Sequence, residues 1–290
     1  KGSILRTHVM RPTWHFVAPQ DIRWMLELTA PRVRMVMGTN SRKRGLDAKL
    51  FNKANKLIVK ALEGGRQLTR SELTAVLHKG KIPTDENRFA HIMMVAELEQ
   101  LICSGGKRGK QFTWALLEER VPAVKAITRD VALATLAERY FISHGPATIA
   151  DFAWWSGLTL ADARAGLEMV KDKLAEEEIA GNTYWFSPGN IAVSKTSVCL
   201  LPSYDEYVVA YKDRSAAAGT HPELSRSNVI FNNTVLMNGK VTGAWKRSFT
   251  KDAVRLEIQP FEKYTKAQQQ SIVKAAKHYA IFHNKKFELL

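Results

Sequence analysis

The sequence has 290 residues, 45% hydrophobic and 24% charged, an ordinary globular composition with enough length for two or three domains. Lys and Arg outnumber Asp and Glu by 43 to 28, and the resulting net charge of +15 points to a polyanionic partner. Two cysteines, Cys103 and Cys199, are too few for a disulfide framework or a cysteine-built zinc site, and no window approaches the roughly 18 apolar residues of a membrane helix, so secreted scaffold and membrane classes are set aside.

The charge is uneven. Residues 1–60 hold 13 Lys and Arg against Asp21, Glu27 and Asp47, whereas residues 147–188 hold seven carboxylates against Arg164, Lys171 and Lys173. The basic surface therefore belongs to the front of the chain. No signal-peptide pattern opens at Lys1, and a reducing cytosol suits the cysteine usage.

In chain order, Arg6 to Arg34 comes first. A β-like run passes Arg11, Pro12, Thr13, Trp14, His15, Phe16 and Val17 and breaks at Pro19, and a helix follows whose apolar residues Trp24 and Leu28 run up to Pro31. Two readings of the run stand open. Trp14 and Phe16 can fill a core with His15 left outside, or the mixture can floor a cleft that faces an anion, since arginine pairs with phosphate and an aromatic ring stacks on a base. Thr39 to Gly45 reads as a polar linker. An amphipathic helix follows, with Leu50, Phe51, Ala54, Leu57, Ile58, Ala61 and Leu62 on one face and Lys49, Lys53, Lys56 and Lys60 striping another. A lysine stripe is usually a solvated face; in the most basic part of the chain it also suits phosphate contact.

Gly64-Gly65 ends that helix, and Thr69-x-x-Glu72 is a capping box for a second, with Leu73, Val76 and Leu77 inside. A third is expected from about Thr84 to Gln100, with Phe89, Ile92, Met93 and Ala96 inward. Two strand-like runs, Leu101–Ser104 and Gln111–Leu116, flank Gly105-Gly106-Lys107-Arg108-Gly109-Lys110. Three helices and a hairpin with a basic, glycine-rich tip form the pattern of a winged helix, with the third helix as recognition helix and Lys107, Arg108 and Lys110 meeting phosphates from a mobile tip. The pattern repeats in an acidic form: helices over 130–143, from Thr148-Ile149-Ala150-Asp151 to Gly157, and from Thr159-x-x-Asp162, then a hairpin around Gly181-Asn182. This second unit reads as a platform or protein contact.

Past Pro188 the character becomes β. Val198–Leu201 is an apolar strand, 202–207 a bend with Tyr204, Asp205, Glu206 and Tyr207, and Asn228–Met237 and Val241–Lys246 flank Asn238-Gly239, a strong hairpin signal. Val254–Gln259 adds a strand, and Thr265-x-x-Gln268 caps a closing helix. The expected fold class is α+β: tandem winged-helix units, then a small sheet with a closing helix. The expected divisions are 1–46, 47–120, 121–197 and 198–290.

No Walker loop, dinucleotide fingerprint, HExxH or GxSxG is present. Asp205 and Glu206, adjacent on a strand, would face opposite ways and form no working carboxylate pair; a turn with one ion pair, to Arg214, is the plain alternative. His8, His15 and His144 lack metal-ligand spacing, so neither metal nor cofactor is expected.

Three segments carry a resemblance: RTHVMRPTWHFVAPQDIRWMLELTAPR from Arg6, the Leu201–Tyr207 run with Lys212-Asp213-Arg214, and Asn238-Gly239-Lys240-Val241-Thr242-Gly243-Ala244-Trp245-Lys246-Arg247. In order and spacing they resemble the winged-helix DNA-binding superfamily that includes AlkZ- and YcaQ-type bacterial DNA glycosylases. That resemblance implies excision of alkylated or crosslinked bases from double-stranded DNA. It also places a catalytic Gln-x-Gln or Gln-x-Asp motif in a helical segment before Arg6, where this chain has none; Gln268, Gln269 and Gln270 lie on a helix start near the far end and do not replace it. Two expectations follow: either part of the N-terminal segment lies upstream of Lys1, or this member has lost the motif and binds DNA without catalysis. Thr13, Trp14, His15, Tyr204 and Asp205 are the cleft candidates. Arg6, Arg11, Lys49, Lys53, Lys56, Lys60, Lys107, Arg108, Lys110 and, beside the Asn238-Gly239 turn, Lys246 and Arg247 are the phosphate candidates, expected to border one concave surface. The expectation is a cytoplasmic, nucleoid-associated monomer. A non-enzymatic transcription regulator, which usually needs a dimer on paired half-sites, is the competing reading, and an RNA-associated factor a third.

Overall fold

The computed structural model describes residues 2–189, 197–226 and 228–290. These divide into two units, 1–186 and 187–290.

The first unit opens with a hairpin, β1 (Leu5–His8) against β2 (Trp14–Val17), where the expected single run folds back on itself. Helix α1 (Ile22–Lys43) does not stop at Pro31, and most of the expected linker is its last turns. A proline ring removes one backbone bond, to the carbonyl four residues earlier. Here both Glu27 and Pro31 are exposed, so water can serve that carbonyl, while Leu26 and Val33 are buried on either side of the break. Only Arg44-Gly45 remains as a link, with Gly45 at φ +68°.

Next come α2 (Ala48–Leu62), β3 (Leu68–Thr69), α3 (Arg70–Lys79), α4 (Arg88–Leu98), β4 (Ile102–Ser104), β5 (Thr113–Leu116) and the short α5 (Leu117–Arg120). The sheet order is β3-β5-β4. Thr69 and Glu72 close the capping box of α3 in both directions. Ile58, Leu62, Leu73, Leu77, Phe89, Ile92 and Ile102 form the core between these helices and the hairpin. Each such side chain contributes about 1.5–3 kcal/mol by leaving water.

Two expectations for the third helix fail. It starts four residues later than Thr84, because Glu86 and Asn87 take left-handed backbone. It is also buried nearly all round: besides the inward Phe89, Ile92, Met93 and Ala96, the residues His91, Met94, Val95, Glu97 and Leu98 are all buried, with α1 and β1 packed against the helix. A recognition helix must keep one face free for a groove; α4 has none to offer.

The same order of elements returns in α6 (Arg129–His144), α7 (Ile149–Ser156), α8 (Leu160–Glu168) and the hairpin β6 (Ala175–Ile179) with β7 (Asn182–Phe186). Thr148 and Asp151 form a capping box before α7. Ala147 pairs with Trp185 of β7 as β3 pairs with β5. The hairpin turns at Ala180-Gly181, one residue earlier than expected.

The second unit is built on one sheet, β12-β11-β10-β9-β8, from β8 (Val198–Leu201), β9 (Thr234–Met237), β10 (Lys240–Phe249), β11 (Ala253–Pro260) and β12 (Lys286–Leu289). Three short helices, α9 (Glu206–Val209), α10 (Ser215–Ala218) and α11 (Pro222–Arg226), precede β9, and α12 (Lys266–Phe282) precedes β12. The Asn238-Gly239 turn forms with both residues at positive φ, as its type requires. Residues 228–231 are a 3-10 turn, so the strand before that hairpin begins only at Thr234. Ile272, Ala276 and Ala280 of α12 pack on one face of the sheet with Val235, Trp245 and Val254. Val208, Ala218, Leu224 and Ile230 cover Leu236 and Val241 on the other. The parallel edge strand β12 has no sequence signal of its own.

Candidate nucleic-acid interface

Strand pairing decides what the front hairpin shows to solvent. Arg6 lies opposite Phe16 and His8 opposite Trp14, so these four share a face. Leu5, Thr7 and Val17 point the other way and are buried. Trp14 and Phe16 are 51% and 76% exposed, so they are not core, and the cleft reading of this stretch gains at the expense of the plain one.

Arg6 is held between two rings, its guanidinium carbon 4.1 Å from the centre of Trp14 and 3.7 Å from that of Phe112. Its backbone N–H donates to Ser104 Oγ at 2.8 Å, which ties β1 to β4. Burial lowers the Arg6 pKa, opposed in part by the charge of Glu97. Around this stack runs an open groove of about 670 Å³ lined by Arg6, Trp14, Arg70, Lys110, Phe112 and Trp114, with Ser71, Thr74 and Gln111. Arg70 lies over Phe89 at 4.7 Å, and Lys107 sits 5.1 Å from the Phe112 ring.

Under the groove lies a buried carboxylate. Glu97 is 1% exposed. Its Oε2 accepts the His8 backbone N–H at 2.8 Å and lies 2.6 Å from His8 Nδ1. Its Oε1 accepts from Trp114 Nε1 at 2.8 Å. A buried charge is tolerable only when its hydrogen-bonding capacity is met in this way. The His8 ring in turn packs 5.3 Å from Trp14. One carboxylate thus links β1, α4 and β5 and sets the floor on which Trp14 stands.

The predicted residues divide. Arg6, Trp14 and Lys110 come together in the groove. Thr13 is exposed; His15 is half-buried, with Nδ1 3.0 Å from the carbonyl of Thr13. Arg11 is half-buried on the β1–β2 turn, against Gly157. Lys49, Lys53, Lys56 and Lys60 are exposed on α2, and none of them lines the groove. Arg108 is not available as drawn from the sequence: it pairs with Glu72 at 2.7 Å and donates to the Gln67 carbonyl at 2.6 Å. The backbone N–H of Thr69 and then Arg108 hold the Glu72 carboxyl down at about 2. The hairpin tip is therefore anchored through one of its three cations.

In the second unit, Tyr204 is 73% exposed, takes left-handed backbone and stacks on Phe231 at 5.8 Å. Asp205 is a helix cap rather than a strand residue, its carboxylate accepting the Tyr207 N–H at 2.9 Å. The Nε of Arg214 donates to the Val208 carbonyl. Lys246 and Arg247 are exposed on β10, but well along the strand from the Asn238-Gly239 turn. Lys246 lies opposite Glu257 in the strand register, and Arg247 lies over Trp245 and Tyr279.

Sequence reasoning missed Arg70, Phe112, His8, Glu97 and Trp114. Arg70 and Phe112 adjoin signals it used, the Thr69 cap and the basic hairpin tip; nothing local marked Glu97. No helix among the described residues is long and apolar enough to cross a membrane.

The AlkZ-like DNA glycosylase family matches residues 1–282. Among solved structures, Streptomyces sahachiroi DNA glycosylase AlkZ is similar at a TM-score of 0.76 and 20% identity, over 99% of this chain and 82% of that one, a likeness of fold. The curated proteins gave no match. The match across nearly the whole chain carries the assignment: the protein belongs to the AlkZ-like DNA glycosylase family.

Proposed function

We propose that the protein binds double-stranded DNA and acts in repair, releasing alkylated or crosslinked bases by hydrolysis of the N-glycosidic bond. The observation that carries this reading, beside family membership, is the groove in which Arg6, Arg70 and Lys110 surround exposed aromatic rings. Cations neutralise phosphates, and rings receive bases. An alkylated base is already cationic and leaves readily, so the protein has only to position a water and stabilise the positive charge that develops on the sugar. In the resemblance a glutamine pair holds that water, with His15 and neighbouring Thr13 lining the same cleft.

The element order α2-β3-α3-α4-β4-β5 and its repeat support reading both as winged-helix units, over 47–120 and 121–197, flanked by an N-terminal segment 1–46 and a C-terminal β-rich domain 198–290. Phosphate contact falls to Arg6, Arg11, Lys107, Lys110, the α2 lysines, Lys246 and Arg247. We place the protein in the bacterial cytoplasm, with the nucleoid, as a monomer. The competing regulator reading loses its main instrument, because buried α4 cannot read a major groove.

Duplex carrying N7-methylguanine, incubated with the protein and scored for free base, tests the reading. Binding that prefers damaged to intact duplex is the expected result, and release above the spontaneous rate would show that residues other than a Gln-x-Gln or Gln-x-Asp motif before Arg6 position the water. Selection of one palindromic sequence with no preference for lesions would overturn it in favour of a regulator.

A further inference from the structure

Beside cations that any phosphate can meet, the groove next to β1 offers aromatic rings that an intact duplex cannot use. A duplex shows a protein its phosphates and its base edges, while the base faces stay stacked inside. Here two aromatic side chains remain partly open to solvent, Trp14 at 51% and Phe112 at 42%. Arg6 lies over both rings, and its guanidinium N–H groups have no acceptor among the described residues. Arg70 and Lys110, on the same groove, likewise have no carboxylate partner among the described residues. Arg108, two residues from Lys110, is tied to Glu72, so the three groove cations differ from their neighbour in being left for a ligand. The volume, about 670 Å³, lies within the range of small-molecule clefts.

We infer that this groove is a subsite for one unpaired nucleotide of a DNA strand, with the phosphate on Arg6, Arg70 and Lys110 and the base against Trp14 and Phe112. The inference rests on the DNA-binding reading above and deepens it. A stacked guanidinium keeps its in-plane donors while losing its freedom, so Arg6 meets a phosphate at little entropic cost. The base is held by stacking, without reading its identity, which suits a protein that must work beside a lesion in any sequence.

Fluorescence anisotropy with four probes tests the subsite: a short oligothymidylate, the matching oligouridylate, an intact blunt duplex, and the same duplex with a single bulged thymidine. Wild-type protein should prefer the bulged duplex to the intact one. Trp14→Leu keeps apolar bulk and removes the ring; it should weaken the bulged duplex and the oligothymidylate by about fivefold or more and leave the intact duplex unchanged. Trp14→Phe should restore most of the loss, which a merely structural defect would not allow. Arg6→Gln and Lys110→Gln should each lower the salt slope for the oligothymidylate by about 0.7. Equal loss on intact and bulged duplex in Trp14→Leu, no loss on any probe, or a wild-type preference for oligouridylate would overturn the subsite. Wild type binding none of the DNA probes would instead defeat the DNA reading itself, and the subsite with it.

Discussion

Gly157→Ala isolates the contact that seats the front hairpin. Gly157 ends α7 at φ +69°, where a side chain is strained whatever the space. A Cβ there would also lie 2.0 Å from the carbonyl oxygen of Met10, on the β1–β2 turn. That turn cannot retreat cheaply. Met10 is buried, is itself at φ +64°, and donates its N–H to the buried Thr29 Oγ1 at 3.1 Å. The left-handed backbone should cost about 1–2 kcal/mol. Displacing the packed turn adds about 1–3 kcal/mol. Gly64→Ala supplies the control: φ is +77°, but nothing lies within 4 Å of the added Cβ, so only the backbone cost applies. Urea unfolding of both variants should therefore show Gly157→Ala as the weaker by about 1–3 kcal/mol, and its thermal midpoint lower than that of the control by several degrees, at about 2–4 °C per kcal/mol. Because the moved turn carries Trp14, affinity for the bulged duplex should fall in Gly157→Ala and not in Gly64→Ala. Equal stability of the two variants would refute the claim that the turn rests on Gly157.

Glu97→Gln leaves one acceptor oxygen where two now serve His8 and Trp114, and should destabilise the protein by about 2–4 kcal/mol in urea melts; a change under about 0.5 kcal/mol would show the network to be dispensable. Neutralising Lys107, Arg108 and Lys110 together should lower the salt slope for intact duplex by about 2 rather than 3, since Arg108 is already paired with Glu72; at about 0.9 per phosphate, a drop near 3 would mean that Arg108 leaves Glu72 on binding. A thiol reagent at neutral pH should label Cys199, which is exposed, and spare Cys103, whose thiol burial pushes up to about 12; mass spectrometry should find the second site labelled only after unfolding, and native labelling of Cys103 would contradict its burial.

How far the sequence could be read depended on the reach of each signal. The boxes at Thr69/Glu72 and Thr265/Gln268 and the Asn238-Gly239 turn are complete within four residues, and all three form. The end of α1 was misplaced because Pro31 is a local stop signal, whereas the helix is kept going by burial of Val33 and by packing against α4 and α6. The face of β2 stays open in the sequence for a related reason. Trp14 and Phe16 are apolar, but pairing with β1 turns Leu5, Thr7 and Val17 inward and leaves no inner place for the two rings. Strand β12 and the short helices α9 to α11 depend on partners far along the chain or on contacts within small clusters, and carry no period that a window can detect.

The groove was half legible for the same reason. Arg6, Trp14 and Lys110 stood out as types, but Arg70, Phe112 and Trp114 join them only once β1 is laid along β4 and α4. That placement has a consequence for the winged-helix pattern. In a sequence-reading protein the third helix keeps its outer face for the major groove. Here β1 and α1 cover α4, and Glu97, on the covered helix, instead fastens the hairpin that carries Arg6 and Trp14. On the winged-helix reading proposed above, the helix that would read base edges is covered, and a cationic, aromatic groove stands beside it. Edge-reading donors would favour one sequence; stacked rings and phosphate contacts accept any. For a repair protein, whose target is defined by damage rather than by sequence, the covered helix and the open groove answer the same requirement.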